Sequence, residues 1–162
     1  MDNLDTEQAR REWIDAIEIV VVRSFVESGV RFLVIGGRGV QFHGHARPVN
    51  DLDLLVEVSA ANCMRLAGAL RPLGARVPRL DELSPGKRHK GGFRFYPTVE
   101  FLTEIDGVSF EQAWPESIGT TFGGLSFSIL SKPHVILSKR GSTRPVDVLD
   151  IEALEGVPKE SS

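Results

Sequence analysis

The segment Asp51-Leu52-Asp53-Leu54-Leu55 constrains this chain most, because carboxylates and core leucines alternate along it. In a β-strand successive side chains leave opposite faces. Leu52 and Leu54 therefore point into a core, while Asp51 and Asp53 share the other face with Cα atoms roughly 6.6 Å apart. Two like charges at that spacing repel unless a cation sits between them, and hard oxygen ligands suit magnesium or manganese. A divalent metal site is the functional reading; the solvent face of an edge strand is the plain one. Upstream, the buried run Arg31–Ile35 ends in Gly36-Gly37, and thirteen residues separate Gly37 from Asp51. Glycines after a buried strand give a tight turn and let backbone N–H groups at the start of the next helix approach a phosphate. Metal and phosphate then belong to one ligand.

The surrounding spacing predicts an alternating order of elements. Asp5 and Gln8 form a capping pair, and apolar residues from Ala9 through Trp13, Ile17 and Val21 to Phe25 keep helical spacing until Gly29. A strand over 31–35, a short helix over 40–44 and a strand over 52–58 follow. Ser59 caps a helix over 62–70, on which Cys63 is a half-buried packing residue. A loop-rich, basic stretch runs from Pro78 to Gly92. Strands are predicted over 93–96 and 98–103, a helical turn over 109–114, and a hairpin in which 120–122 and 125–129 flank Gly123-Gly124. Helices over 132–139 and 146–154 close the chain. The expectation is an α+β domain, a mixed β-sheet flanked by helices, over residues 1–155 with a frayed tail from 156.

Composition limits the function classes. Hydrophobic residues at 41% and charged residues at 25% are ordinary for a globular protein. No apolar run reaches the roughly 20 residues of a membrane span, and the acidic start lacks the basic region of a signal peptide. The expectation is a cytoplasmic protein without membrane contact. A net charge of -3 argues against a dedicated nucleic-acid coat but leaves room for a local basic patch, Lys87, Arg88, His89, Lys90 and Arg94. That patch reads as a solvated loop, or as a contact for an RNA or protein acceptor. His43 and His45 flank Gly44 without further His or Cys nearby and read as structural rather than zinc-binding.

The run "FLVIGGRGVQFHGHARPVNDLDLLVE" resembles the polymerase-beta-type nucleotidyltransferase superfamily, and is similar to small bacterial nucleotidyltransferase-like proteins related to abortive-infection and toxin-antitoxin nucleotidyltransferases. His43, Gly44, Arg47, Asp51 and Asp53 match their "HG..R...DLD" segment. In "TVEFLTEIDG", Glu100 stands where a third acidic residue is expected. "VILSKRGSTRPVDVLDIEALE" matches the closing segment through Lys139, Gly141, Arg144, Asp147 and Asp150. The resemblance covers residues 32–154. Departures are Val49 where relatives often have Thr, Gly39 for Ala, and Glu100 for Asp.

What the resemblance implies is magnesium- or manganese-dependent transfer of a nucleoside monophosphate from a nucleoside triphosphate (NTP) to a hydroxyl on RNA, protein or a small molecule. Asp51, Asp53 and Glu100 would hold metal, with Lys139 the catalytic cation. Gly36, Gly37, Arg38, Arg47, Lys139 and Asp147 would bind the nucleotide. A toxin-antitoxin setting, with a cognate antitoxin or toxin as partner, is part of the expectation. The alternatives are a catalytically weak nucleotide- or partner-binding relative of the same fold, and a plain structural domain in which Asp147 and Asp150 merely pair with Arg144 or Lys139. The presence of all three acidic positions and the closing Lys favours the enzyme.

Overall fold

The computed structural model describes residues 13–83 and 93–156. Helix α1 (Ala16–Glu27) starts at a capping box: the Asp15 carboxylate accepts from the N–H groups of Ile17 and Glu18, and the Glu18 side chain accepts from the Asp15 N–H. This cap interrupts the helical spacing read from Ala9 onward. The chain bends at Ile14, and the Trp13 indole donates to the Arg38 carbonyl instead of stacking along one continuous helix. The expected cap at Asp5 and Gln8 lies outside the described residues.

Strand β1 (Phe32–Ile35) is buried at every position and runs directly into α2 (Gly36–Phe42). The two glycines are thus the first residues of a helix, where a separate turn was expected. After β2 (Leu52–Val56) come α3 (Ala60–Leu70), capped by Ser59, and a short helix α4 (Leu80–Leu83) within the stretch expected to be loop. Strands β3 (Phe93–Tyr96) and β4 (Val99–Leu102) lead to α5 (Phe110–Glu116). Strands β5 (Ile118–Phe122) and β6 (Leu125–Ile129) form the expected hairpin; Gly123 and Gly124, at φ 58° and 77°, supply the left-handed turn that matches strand twist. Helices α6 (Lys132–Lys139) and α7 (Pro145–Glu155) follow.

The strands make one mixed sheet in the order β3-β4-β2-β1-β6-β5. β2 lies between β1, antiparallel to it, and β4, parallel to it. It is an interior strand, so Asp53 does not face solvent from a sheet edge. Alternation along β1 and β2 serves two apolar layers. Phe32, Val34, Leu52, Leu54 and Val56 pack with Val21, Val22 and Phe25 of α1 and Leu66, Ala69 and Leu70 of α3. Leu33, Ile35 and Leu55 pack on the other side with Phe110 and Ala113 of α5, Val135 of α6 and Leu154 of α7. Asp53 belongs to this second face. Among the described residues, no helix is long and apolar enough to cross a membrane.

Candidate active site

Parallel pairing of β2 with β4 sets Asp53 opposite Glu100, and antiparallel pairing with β1 sets Asp53 opposite Ile35, the last residue before Gly36. The carboxyl of Asp53 therefore sits between a second carboxyl and the start of a glycine helix. Gly36 has φ +64°, and a Cβ there would come within 2.5 Å of Asp53 Oδ2. Only a glycine both adopts that backbone and leaves room for the carboxylate. Gly36→Ala is expected to cost about 1–2 kcal/mol from the backbone conformation alone and to push the Asp53 carboxyl aside. Thermal unfolding checks the first effect and divalent-cation affinity the second. Gly37 has a different neighbour: a Cβ there would meet the Val49 methyls at 2.7 Å, so Val49 packs on the glycine helix from outside the pocket.

Burial, the charge of Glu100 and then that of Asp51, with a hydrogen bond that the neutral Asp53 acid donates to Glu100, raise the Asp53 carboxyl from an ordinary 3.8 to about 7; Arg94 opposes the shift. Asp53 Oδ1 is buried and has no hydrogen-bond partner. Arg94 is the register partner of Glu100 across the β3–β4 pairing, and its Nη2 lies 3.5 Å from Asp51 Oδ2 and 3.7 Å from Glu100 Oε2. Among the described residues, no three His, Cys, Asp or Glu side chains form a group able to hold a metal ion. The donor set is nonetheless hard carboxylate oxygen throughout, and the unpartnered Oδ1 is an acceptor without a donor. Asp53 and Glu100 fit a divalent cation as a pair, and Asp51 stands on the same strand face, drawn toward Arg94.

A cavity of about 770 Å³ opens over this pair. Ile35, Gly36, Asp53 and Glu100 line it, Glu104 and Asp106 approach from the loop after β4, and Lys139 of α6, Ser142 and Arg144 of the turn that follows, and Asp147 of α7 also line it. This last part of the lining is built around two buried carboxylates. Asp147 accepts from Lys139 Nζ at 2.8 Å, Ser142 Oγ at 2.6 Å and Arg144 Nε at 2.9 Å. Burial alone would push its carboxyl up; these donors together outweigh it and hold the group well below the usual carboxylate range. Asp150, with a fully buried side chain, takes the Arg47 fork at 2.7 and 2.9 Å, His45 Nδ1 at 3.0 Å and Lys139 Nζ at 3.1 Å. It too is held below the ordinary range, against the effect of burial, by Arg47 and Lys139.

The sequence-predicted residues thus divide. Gly36, Asp53, Glu100, Lys139 and Asp147 line one cavity. Asp51 reaches the cluster through Arg94. Arg47 is committed to Asp150, ties the segment before β2 to α7, and does not line the cavity. Arg38, expected to bind the nucleotide, is buried on the α1 side, where it pairs with Glu18 at 3.1 Å and donates to the Trp13 carbonyl. Its position three residues into a helix is what sequence reading sees; which way that helix faces is not. His43 donates to the Leu130 carbonyl and His45 to Asp150, so the two imidazoles serve different structural partners. Lys87, Arg88, His89 and Lys90 lie outside the described residues. Arg94 was legible only as part of a basic patch, and its partners come from the pairing of β3 with β4.

No protein-family model matches the sequence, and the curated proteins hold no match to it. Among solved structures, an antigenic nucleotidyltransferase-like protein from Paracoccidioides brasiliensis superposes with a TM-score of 0.51 at 16% identity, covering 87% of this chain and 77% of that one. The likeness is one of fold: an α+β architecture with a mixed sheet flanked by helices.

Proposed function

We propose that the protein is a magnesium- or manganese-dependent nucleotidyltransferase that moves a nucleoside monophosphate from an NTP to an acceptor hydroxyl. One observation carries this reading: Asp53, with a buried and unpartnered oxygen, sits beside Glu100 in the lining of a cavity that Lys139 also lines. The likeness of fold to a nucleotidyltransferase-like protein supports it.

Asp53, Glu100 and Asp51 are the residues that would hold the cation, which when bound neutralises phosphate charge and acidifies the acceptor hydroxyl. The chain's own groups do the rest. Glu100 takes the hydroxyl proton onto its carboxylate as the acceptor oxygen attacks the α-phosphorus. A new P–O bond forms, the bond from that phosphorus to the bridging oxygen breaks, and pyrophosphate leaves with the electron pair. Lys139 places its charge on the departing pyrophosphate, held in direction by Asp147 and Asp150. Gly36 keeps the base of the cavity clear of side-chain bulk.

A second reading, a nucleotide- or partner-binding relative with weak catalysis, is favoured by the ion pairs that already occupy Lys139 and Asp51. The sequence resemblance extends the first reading to RNA or protein acceptors, a cytoplasmic location and a toxin-antitoxin partner. The test is incubation of the purified protein with magnesium, each α-labelled NTP and total RNA, protein or small hydroxylated acceptors. Label on an acceptor is the expected result. Nucleotide binding without transfer to any acceptor moves the conclusion to the second reading.

A further inference from the structure

We infer that Arg94 is a resident counter-ion of the carboxylate cluster, one that a divalent cation must displace and that nucleotide phosphate draws away. The inference rests on the nucleotidyl-transfer reading and assigns the site a device that reading does not contain. Three observations carry it. First, the guanidinium lies within 3.5 Å of Asp51 and 3.7 Å of Glu100, two of the three carboxylates that would otherwise face one another unscreened. Second, the β3–β4 register shifts between Arg94 and Tyr96, an irregularity of the kind that re-aims a side chain. The Pro97 carbonyl in the following turn accepts from Arg94 Nη1 at 2.8 Å, which holds the arm over Asp51 and Glu100. Third, the contact is loose where the neighbouring ones are tight. Arg94 and Asp51 are 46% and 43% exposed at the side chain, whereas the pairs that fix Asp150 have its side chain fully buried and the shortest of them spans 2.7 Å.

These facts fit a contact made to be exchanged. A structural ion pair would be short and buried, as Arg47 with Asp150 is. A long, exposed one among carboxylates is weak and screened, so a cation of higher charge replaces it readily. Arg94 also reaches Asp51 with both terminal nitrogens, at 3.5 Å each. Once displaced, a guanidinium beside Glu100, which lines the cavity, finds its best partner in a phosphate, which its fork fits. Nucleotide and divalent cation should therefore bind cooperatively through this one side chain.

The experiment measures Mn²⁺ affinity by the loss of the free-ion paramagnetic resonance signal, with and without a non-hydrolysable NTP, for the wild type, Arg94→Gln, Arg94→Lys and Asp53→Asn. Arg94→Gln is expected to bind Mn²⁺ on the order of tenfold more tightly than the wild type without nucleotide, because the competing charge is gone. Arg94→Lys should fall between them. The tightening of Mn²⁺ that the NTP produces in the wild type should shrink in Arg94→Gln. Mn²⁺ binding that Asp53→Asn abolishes but Arg94→Gln leaves unchanged or weakens overturns the counter-ion role and leaves the metal site standing. No Mn²⁺ binding to the wild type, with or without nucleotide, overturns the nucleotidyl-transfer reading and this inference with it.

Discussion

Asp53→Asn is expected to stabilise the ligand-free protein while reducing nucleotidyl transfer to background. The wild-type carboxyl is raised to about 7 in the folded state from an ordinary 3.8, so between those values the folded chain binds more protons than the unfolded one. Stability contributed by the neutral acid is full below about pH 4 and is lost as the pH rises through 7. An amide at this position carries no charge to lose, so the variant's advantage is absent near pH 4 and complete above 7. The gain is limited because the buried, unpartnered oxygen at Oδ1 remains in the variant. On the order of 1 kcal/mol is expected, a melting shift of roughly 2–4 °C. Magnesium with a nucleoside triphosphate reverses the ranking, since the wild type gains about 2.7 kcal/mol at a hundredfold excess over Kd and the variant loses most of that. Thermal melts from pH 4 to 8, with and without magnesium and nucleotide, measure both effects. A variant that melts lower at every pH, beside a wild type indifferent to magnesium-nucleotide, would refute the metal-site reading.

Removal of Asp150 is expected to have the largest effect on stability. Its fully buried carboxylate is the common partner of Arg47, His45 and Lys139. Asp150→Ala would leave the Arg47 guanidinium without its fork partner and Lys139 with Asp147 alone. Breaking a buried pair from one side costs up to about 3–5 kcal/mol, and because Arg47 and His45 each keep about a quarter of their side-chain surface in water the lower end of that range is expected. The wild-type contribution exists above the ordinary carboxylate value and is lost as acid titrates the depressed carboxyl, so the gap between the proteins should close at low pH. Denaturant melts at pH 7 and at pH 3 check both statements. A loss below about 1 kcal/mol at pH 7 would mean that the network does not hold α7 to the segment before β2. In a folded remnant, KM for the triphosphate should rise more than kcat falls, since Lys139 would be misdirected rather than absent.

Much of this molecule was legible along the chain, because its signals are local. Leucine alternation at 52–54 assigns the faces of β2, Gly123-Gly124 turns a hairpin, and Ser59, Ser109 and Ser131 start helices where their hydroxyls accept backbone N–H groups. The carboxylates at 51 and 53 stand out from strand alternation and the glycines upstream, whereas Glu100 and Lys139 were singled out only through the family resemblance. Tertiary structure decided what such signals cannot encode. Asp15 begins a helix within the single run of helical spacing because the chain bends at Ile14 and Trp13 turns into the core, where its indole meets the Arg38 carbonyl. Arg38 and Arg47 read alike in sequence as cations that could assist the nucleotide, yet one is buried against Glu18 and the other, half-buried, pairs with Asp150. The direction a short helix faces depends on the layers packed around it and not on its own residues. Likewise, Asp53 and Glu100 become partners only through the parallel register of β2 with β4. That register, set by burial of leucines and phenylalanines on the far face of the sheet, turns two ordinary carboxylates into one site whose proton is held to about pH 7.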